Sequence, residues 1–134
     1  MTWQVEVAAR TLAQEARGEP IEGQRAVVWV MRNRIRDGRW GKNLASVCLW
    51  RGQFSGWYMP RDPNFAYACG LKNDDPVLVK MRAVVDEVMA ADQSTDPTKG
   101  ATHYFALSIP APDWVKGATQ IGRIGGHMFW KDVK

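Results

Sequence analysis

Apolar side chains near the start of this chain recur at the spacing of one helix face. After Trp3 they fall at Val5, Ala8, Ala9 and Leu12. One further turn of that stripe lands on Glu15, and Gly18 and Pro20 then supply stop signals. A second helix is predicted from near Glu22 through Ala26, Val27, Val30, Met31, Arg34 and Ile35, closed by Asp37-Gly38. The run Val27-Val28-Trp29-Val30-Met31 widens its apolar arc, which marks it as the central buried helix. A short helical turn is expected around residues 44–50. Residues 52–70 are rich in Gly, Pro and aromatics and read as a long irregular loop, a feature that in a compact domain usually serves function. Asp74-Asp75-Pro76 is a helix start, and Leu78, Met81, Val84, Val85, Val88 and Met89 carry that helix to about Ala91. Residues 93–99 form a polar connector. Residues 102–107 alternate as a short strand, and 127–130 form another that can pair with it as a small ribbon. The predicted fold class is mainly α (α+β): one helical domain over residues 1–134 with a minor β element.

The 46% hydrophobic fraction of 134 residues suffices for one real core. No segment approaches the roughly 18 uncharged apolar residues that a membrane span requires, so no stable membrane insertion is expected. Met1-Thr2-Trp3-Gln4 lacks the basic start and apolar run of a secretory signal, which predicts synthesis and retention in a cytoplasm. Cys48 and Cys69 are too few for a disulfide framework and are expected as free thiols. Together with His103 and His127 they match no metal-ligand spacing, so neither metal nor cofactor is expected.

Charge changes the picture modestly. Lys and Arg outnumber Asp and Glu by 18 to 14, a net +4, and Arg10, Arg17, Arg25, Arg32, Arg34, Arg36 and Arg39 make the N-terminal part basic. Such a surface suits a polyanion, nucleic acid or the anionic wall of a bacterium; the alternative is a merely solvated helix face. No helix-turn-helix, RNA-binding sheet or zinc-knuckle pattern accompanies it, so nucleic acid is not the expected partner. Among the seven tryptophans, Trp50, Trp57 and Trp114 lie in Gly/Pro-rich surroundings where a surface ring can stack on sugars or bases. Several of the seven must simply be core.

Candidate chemistry centres on Glu15-Ala16-Arg17-Gly18-Glu19-Pro20. A carboxylate on the inward side of a helix's last turn is poorly solvated and lies near the negative end of the dipole. Both effects raise its pKa, as a general acid at neutral pH requires. The alternative is that Glu15 and Glu19 are solvated surface charges.

Read together, these segments resemble the spore-cortex-lytic, cell-wall hydrolase family, in particular its compact phage endolysins. The resemblance rests on the Glu15–Pro20 stretch, Glu22-Gly23-Gln24, Asn33-Arg34, Gly52-Gln53-Phe54-Ser55, Gly100-Ala101-Thr102-His103-Tyr104-Phe105, and Ile121-Gly122 through His127 and Phe129. It implies a lysozyme-like, mostly helical fold with a groove for a peptidoglycan glycan strand, and cleavage between N-acetylmuramic acid and N-acetylglucosamine. Glu15 stands at the family's catalytic position. The chain departs from the spore enzymes in lacking a secretion signal and a separate wall-binding module, which fits a phage lysis enzyme held in the host cytoplasm until a holin opens the membrane. Met128 stands where the family often has a polar or basic residue.

Glycoside cleavage requires a proton on the leaving oxygen while the ring develops oxocarbenium character. Glu15 would donate it. A second carboxylate would come from Glu19, Asp62 or Asp96, though the two aspartates lie beside prolines and read as turn formers. Glu19 is expected near substrate, or else as fold support or as a charge that raises the Glu15 pKa. The family's lytic transglycosylases need no second carboxylate, because the muramyl 6-hydroxyl attacks its own anomeric carbon and leaves a 1,6-anhydro end. Gln53 and Ser55 are expected to hydrogen-bond acetamido or hydroxyl groups. Phe54 or Trp57 would stack on a sugar face, with core as the equal alternative for Phe54. On a strand, Thr102 and Tyr104 share one face and His103 takes the other. Tyr104 is the residue expected to orient Glu15 or the acetamido group, whereas His103 and His127 read first as structural hydrogen-bonders.

Overall fold

A computed structural model of the chain describes residues 2–50, 52–54, 57 and 62–134. Helix α1 (Trp3–Ala16) starts where the Thr2 hydroxyl accepts the Val5 N–H. Its buried stripe is rich in alanine: Ala8, Ala9, Ala13 and Ala16 beside Leu12. Small side chains let α2 (Ile21–Asp37), α3 (Leu44–Leu49), α4 (Pro63–Gly70) and α5 (Pro76–Ala90) all pack against this one helix. Helix α2 is buried along most of its length, as its wide apolar arc predicted, and Gly38 ends it at φ 91° by donating its N–H to the Arg34 carbonyl. Helix α3 carries a reciprocal Asn43/Ser46 capping box.

Residues 52–70 are not all loop. Helix α4 occupies their second half, started by Asp62 capping Asn64 and by Pro63 in the first turn. The Asp-Pro pair is the same signal that starts α5 at Asp75-Pro76. It is less legible at α4 because only Ala68 is buried there, so no apolar stripe marks the helix.

The two expected strands exist and pair antiparallel as β1 (His103–Ala106) and the last strand, β3 (His127–Lys131). A third, β2 (Thr119–Ile124), joins them, so the ribbon is a three-stranded sheet in the order β1-β3-β2. A register irregularity between Gln120 and Gly122 breaks the alternation that would have announced this strand. The larger core lies among the helices; a smaller one, Ala26, Val30, Ala101 and Phe129, seats the sheet on α2. Among the described residues no helix is long and apolar enough to cross a membrane.

The arginines of the N-terminal part work mainly as internal staples. Arg10 donates to the Ala68 and Leu71 carbonyls at the end of α4, and Arg32 to those of Val88 and Ala91 at the end of α5. Arg34 reaches the Thr102 carbonyl, and Arg39 reaches that of Val133. Arg17 lies over the Tyr67 ring, and Arg25 pairs with Glu87. The expected choice between a polyanion surface and a solvated face thus resolves largely into helix capping and cross-links, because a helix end leaves carbonyls that a guanidinium satisfies well.

Candidate active site

Glu15 occupies the last turn of α1, half-buried, on the side that meets the sheet. The end of α1 is held by Gln24, whose buried amide donates to the Ala16 and Arg17 carbonyls at 3.2 and 3.4 Å. Across from it, β1 delivers Tyr104, whose hydroxyl donates to Glu15 Oε1 at 2.8 Å. Burial is the largest influence on Glu15 and raises its pKa. The Tyr104 bond and the Arg34 charge act the other way, while Asp62 adds repulsion. Tyr104 itself is held well above the usual phenol range, first by burial and then by the Glu15 charge, so it stays a donor.

Behind this pair lies Arg34, only 4% exposed, with its guanidinium 4.9 Å from the centre of the Trp40 ring and 5.4 Å from that of Phe54. Burial pushes its pKa down to about 10, which leaves it charged at neutral pH. Its Nη1 has no hydrogen-bond partner among the described residues. The apolar phase of α2 already placed Arg34 inward; that the cation would neighbour Glu15 was not readable from phase.

The other expected site residues part company. Phe54 is 1% exposed and packs in the helical core, so the stacking role is corrected in favour of core. Gln53 is half-buried beside it. Ser55 lies outside the described residues. Trp57 turns its indole N–H to the Thr11 hydroxyl at 2.9 Å and packs against the core, whereas Trp50 remains 44% exposed.

Tyr104 and His103 point to opposite faces of the strand, as alternation requires. The His103 ring packs between Trp40 and Trp114, away from Glu15, and burial pushes its pKa down to about 4. Thr102 is buried just ahead of the strand; its hydroxyl meets His103 Nδ1 at 2.9 Å, so it joins His103 rather than sharing a groove face with Tyr104. Trp114 belongs to an aromatic cluster with His103, Phe105 and Trp130 on that outer face.

The carboxylates also sort. Glu19 Oε1 accepts the Gly126 N–H at 2.7 Å and lies 3.5 Å from His127 Nδ1, so this oxygen is engaged by the protein. The acid that repels Glu15 is Asp62, which the sequence presented as a turn former and which also caps α4. Asp96 accepts from Asn33, Thr98 and Gly100 in a closed structural network. Among the described residues no three His, Cys, Asp or Glu side chains gather in a way that could hold a metal ion. Cys48 is buried and Cys69 exposed, and both are free.

Comparison with known proteins shows what the chain as a whole is similar to. A family model described as Cell Wall Hydrolase matches residues 18–130, beginning just past Glu15. The spore cortex-lytic enzyme of Halalkalibacterium halodurans is 32% identical over 93% of this chain and 34% of its own length. That of Bacillus subtilis is 30% identical over 93% of this chain and 36% of its own length. The chain thus spans about a third of the length of these curated relatives. The catalytic domain of the Bacillus cereus SleB protein superposes with a TM-score of 0.74 at 25% identity, covering 96% of this chain and 89% of that one. The catalytic domain of the germination-specific lytic transglycosylase SleB of Bacillus anthracis shares the fold, with a TM-score of 0.76 at 24% identity over 98% of this chain and 96% of its own. The fold is therefore the mainly helical, lysozyme-like one expected, and the chain belongs to the cell wall hydrolase family.

Proposed function

We propose that this chain is a peptidoglycan glycosidase that cleaves the bond between N-acetylmuramic acid and N-acetylglucosamine as a lytic transglycosylase, with Glu15 serving in turn as acid and base. The observation that carries the reading is the Glu15–Tyr104 pair: a half-buried carboxyl of raised pKa, fixed by a phenol that stays a donor. A carboxyl whose pKa is raised by burial holds its proton to higher pH than a solvated one and can give it to the glycosidic oxygen as the C1–O bond breaks. The muramyl 6-hydroxyl then bonds to C1, and its proton returns to the Glu15 carboxylate. Atoms balance without water, and the product carries a 1,6-anhydro end.

One observation favours a second reading. Asp62 is near enough to raise the Glu15 pKa, so it is the candidate second carboxylate of a hydrolytic muramidase. The setting we propose is host lysis: an endolysin made in the cytoplasm of an infected bacterium and released to the wall through a holin. The net +4 charge supports attraction to an anionic wall.

The test is digestion of purified Gram-negative sacculi by wild type, Glu15→Gln and Asp62→Asn, with mass spectrometry of the released muropeptides. Anhydro ends, an inactive but folded Glu15→Gln and an active Asp62→Asn are expected. Reducing ends lost in Asp62→Asn would establish hydrolysis instead. Activity that vanishes with a chelator and returns with zinc would point to a metal-dependent amidase or peptidase. For the lysis role, expression in a Gram-negative host should clear the culture only when a holin is co-expressed.

A further inference from the structure

We propose that Glu19 is a positioning residue for the Glu15 carboxyl: it holds the turn between β2 and β3 and the His127 ring against the corner between α1 and α2, and His127 backs the Tyr104 ring that grips Glu15. The proposal rests on Glu15 being the reacting carboxyl. The contacts run in series, with a hydrogen bond at each end and side-chain packing between them, since His127 Nδ1 itself has no hydrogen-bond partner among the described residues. Glu19 Oε1 accepts the Gly126 N–H at 2.7 Å and lies 3.5 Å from His127 Nδ1. The His127 ring lies edge-on to Tyr104 with centroids 4.8 Å apart, and the Tyr104 hydroxyl donates to Glu15 at 2.8 Å.

The seat of Glu19 is built for a carboxylate and for no larger neighbour. A methyl group on Gly125 would come within 2.5 Å of Glu19 Oε1, one on Gly126 within 3.0 Å of Oε2, and one on Gly23 within 3.1 Å of Oε1. Two backbone segments, the turn between β2 and β3 and the first turn of α2, thus close around one side chain, and glycine is what allows them to approach. The position of Glu19 is itself fixed, because its N–H donates to the Ala16 carbonyl at the end of the helix that carries Glu15. The two glutamates therefore leave one corner of the backbone in opposite duties. Glu15 is left for chemistry, while Glu19 ties that corner to the hairpin whose neighbouring strand supplies Tyr104. The Gly126 carbonyl extends the tie to the chain just past β1, where it accepts the Leu107 N–H at 2.9 Å.

The experiment compares wild type, Glu19→Gln, Glu19→Ala and Gly126→Ala for kcat, KM and pH profile on sacculi. It also follows the Glu15 carboxyl directly by carbon-13 NMR titration. Glu19→Ala should lower kcat about 10- to 100-fold, the scale on which displacement of a reacting group acts, with KM nearly unchanged. Glu19→Gln keeps the acceptor for Gly126 and should retain most of the activity. In Glu19→Ala the Glu15 titration and the basic limb of the pH profile should both move to higher pH, since loosening Tyr104 removes a bond that favours the ionised form. Gly126→Ala, which presses on the intact glutamate, should shift the titration the same way. A raised KM with unchanged kcat would overturn the proposal in favour of substrate contact. A lower melting temperature with unmoved Glu15 titration would reduce Glu19 to scaffold. A fully active Glu15→Gln would sink the functional reading, whereas the titration would still report whether Glu19 positions Glu15.

Discussion

A glutamate folded against apolar walls opposes folding whenever it is ionised. Burial raises the Glu15 pKa above its ordinary 4.5. Between that value and the folded one, the native protein holds a proton that the unfolded chain has released. Stability is therefore lost as pH rises through this window and stays reduced above it. Glu15→Gln keeps an oxygen for the Tyr104 hydroxyl and removes the charge. It should raise Tm at pH 7 by about 2–5 °C, in line with other substitutions that relax an active site. The gain should fade as the pH is brought below 4.5. Thermal melts at the two pH values check this, and equal differences at both would mean that Glu15 is solvated in the folded state. His103 and Tyr104 are sequence neighbours, yet one is sealed in an aromatic stack and the other meets the acid, because a strand sends them to opposite faces.

Elements are joined here by arginines at helix ends. The Arg32 guanidinium lies 4.6 Å from the centre of the Trp29 ring and donates at 2.8 and 2.6 Å to two carbonyls at the end of α5. A charged donor satisfying such carbonyls is worth about 1.5–3 kcal/mol when well buried. Arg32 is part-buried, so Arg32→Met should destabilise by about 1–2 kcal/mol. Exposed Arg36, one turn along the same helix, should tolerate Met within about 0.5 kcal/mol. Urea denaturation separates the two, and neither change should alter kcat. Equal stability losses would show that charge alone, not the seat at the helix end, governs these arginines. The connector between α5 and β1 is tied down in a related way. Asp96 draws four donors around its carboxylate and links that segment to Asn33 of α2.

At the scale of the whole molecule, two cores of unequal size meet where Glu15 lies. Phe129 is fully buried and is the largest member of the small core that seats the sheet. Phe129→Ala should cost about 3–5 kcal/mol, as for other buried aromatics. Because the helical core does not include Phe129, activity should disappear at lower urea than the helical circular dichroism signal. Coincident loss of both signals would mean that sheet and helices unfold as one unit. Tyr104 packs against both clusters, so a loosened sheet reaches the Glu15 carboxyl directly.

Local signals determined much of this architecture. Helical spacing and caps located α1, α2 and α5, and the phase of α1 placed Glu15 on its inward side. Such signals are legible because they set backbone dihedrals and periodicity within a few residues. The pairing of Glu15 with Tyr104 spans 89 residues, and that of Glu19 with Gly126 spans 107. No local preference encodes such partners. The tertiary structure alone decided that Phe54 fills the core, that Asp62 and not Glu19 presses on Glu15, and that the arginines close helix ends. The reason is that a side chain's composition and phase say that it points inward, whereas its partner is set by which distant backbone the packed elements bring to it.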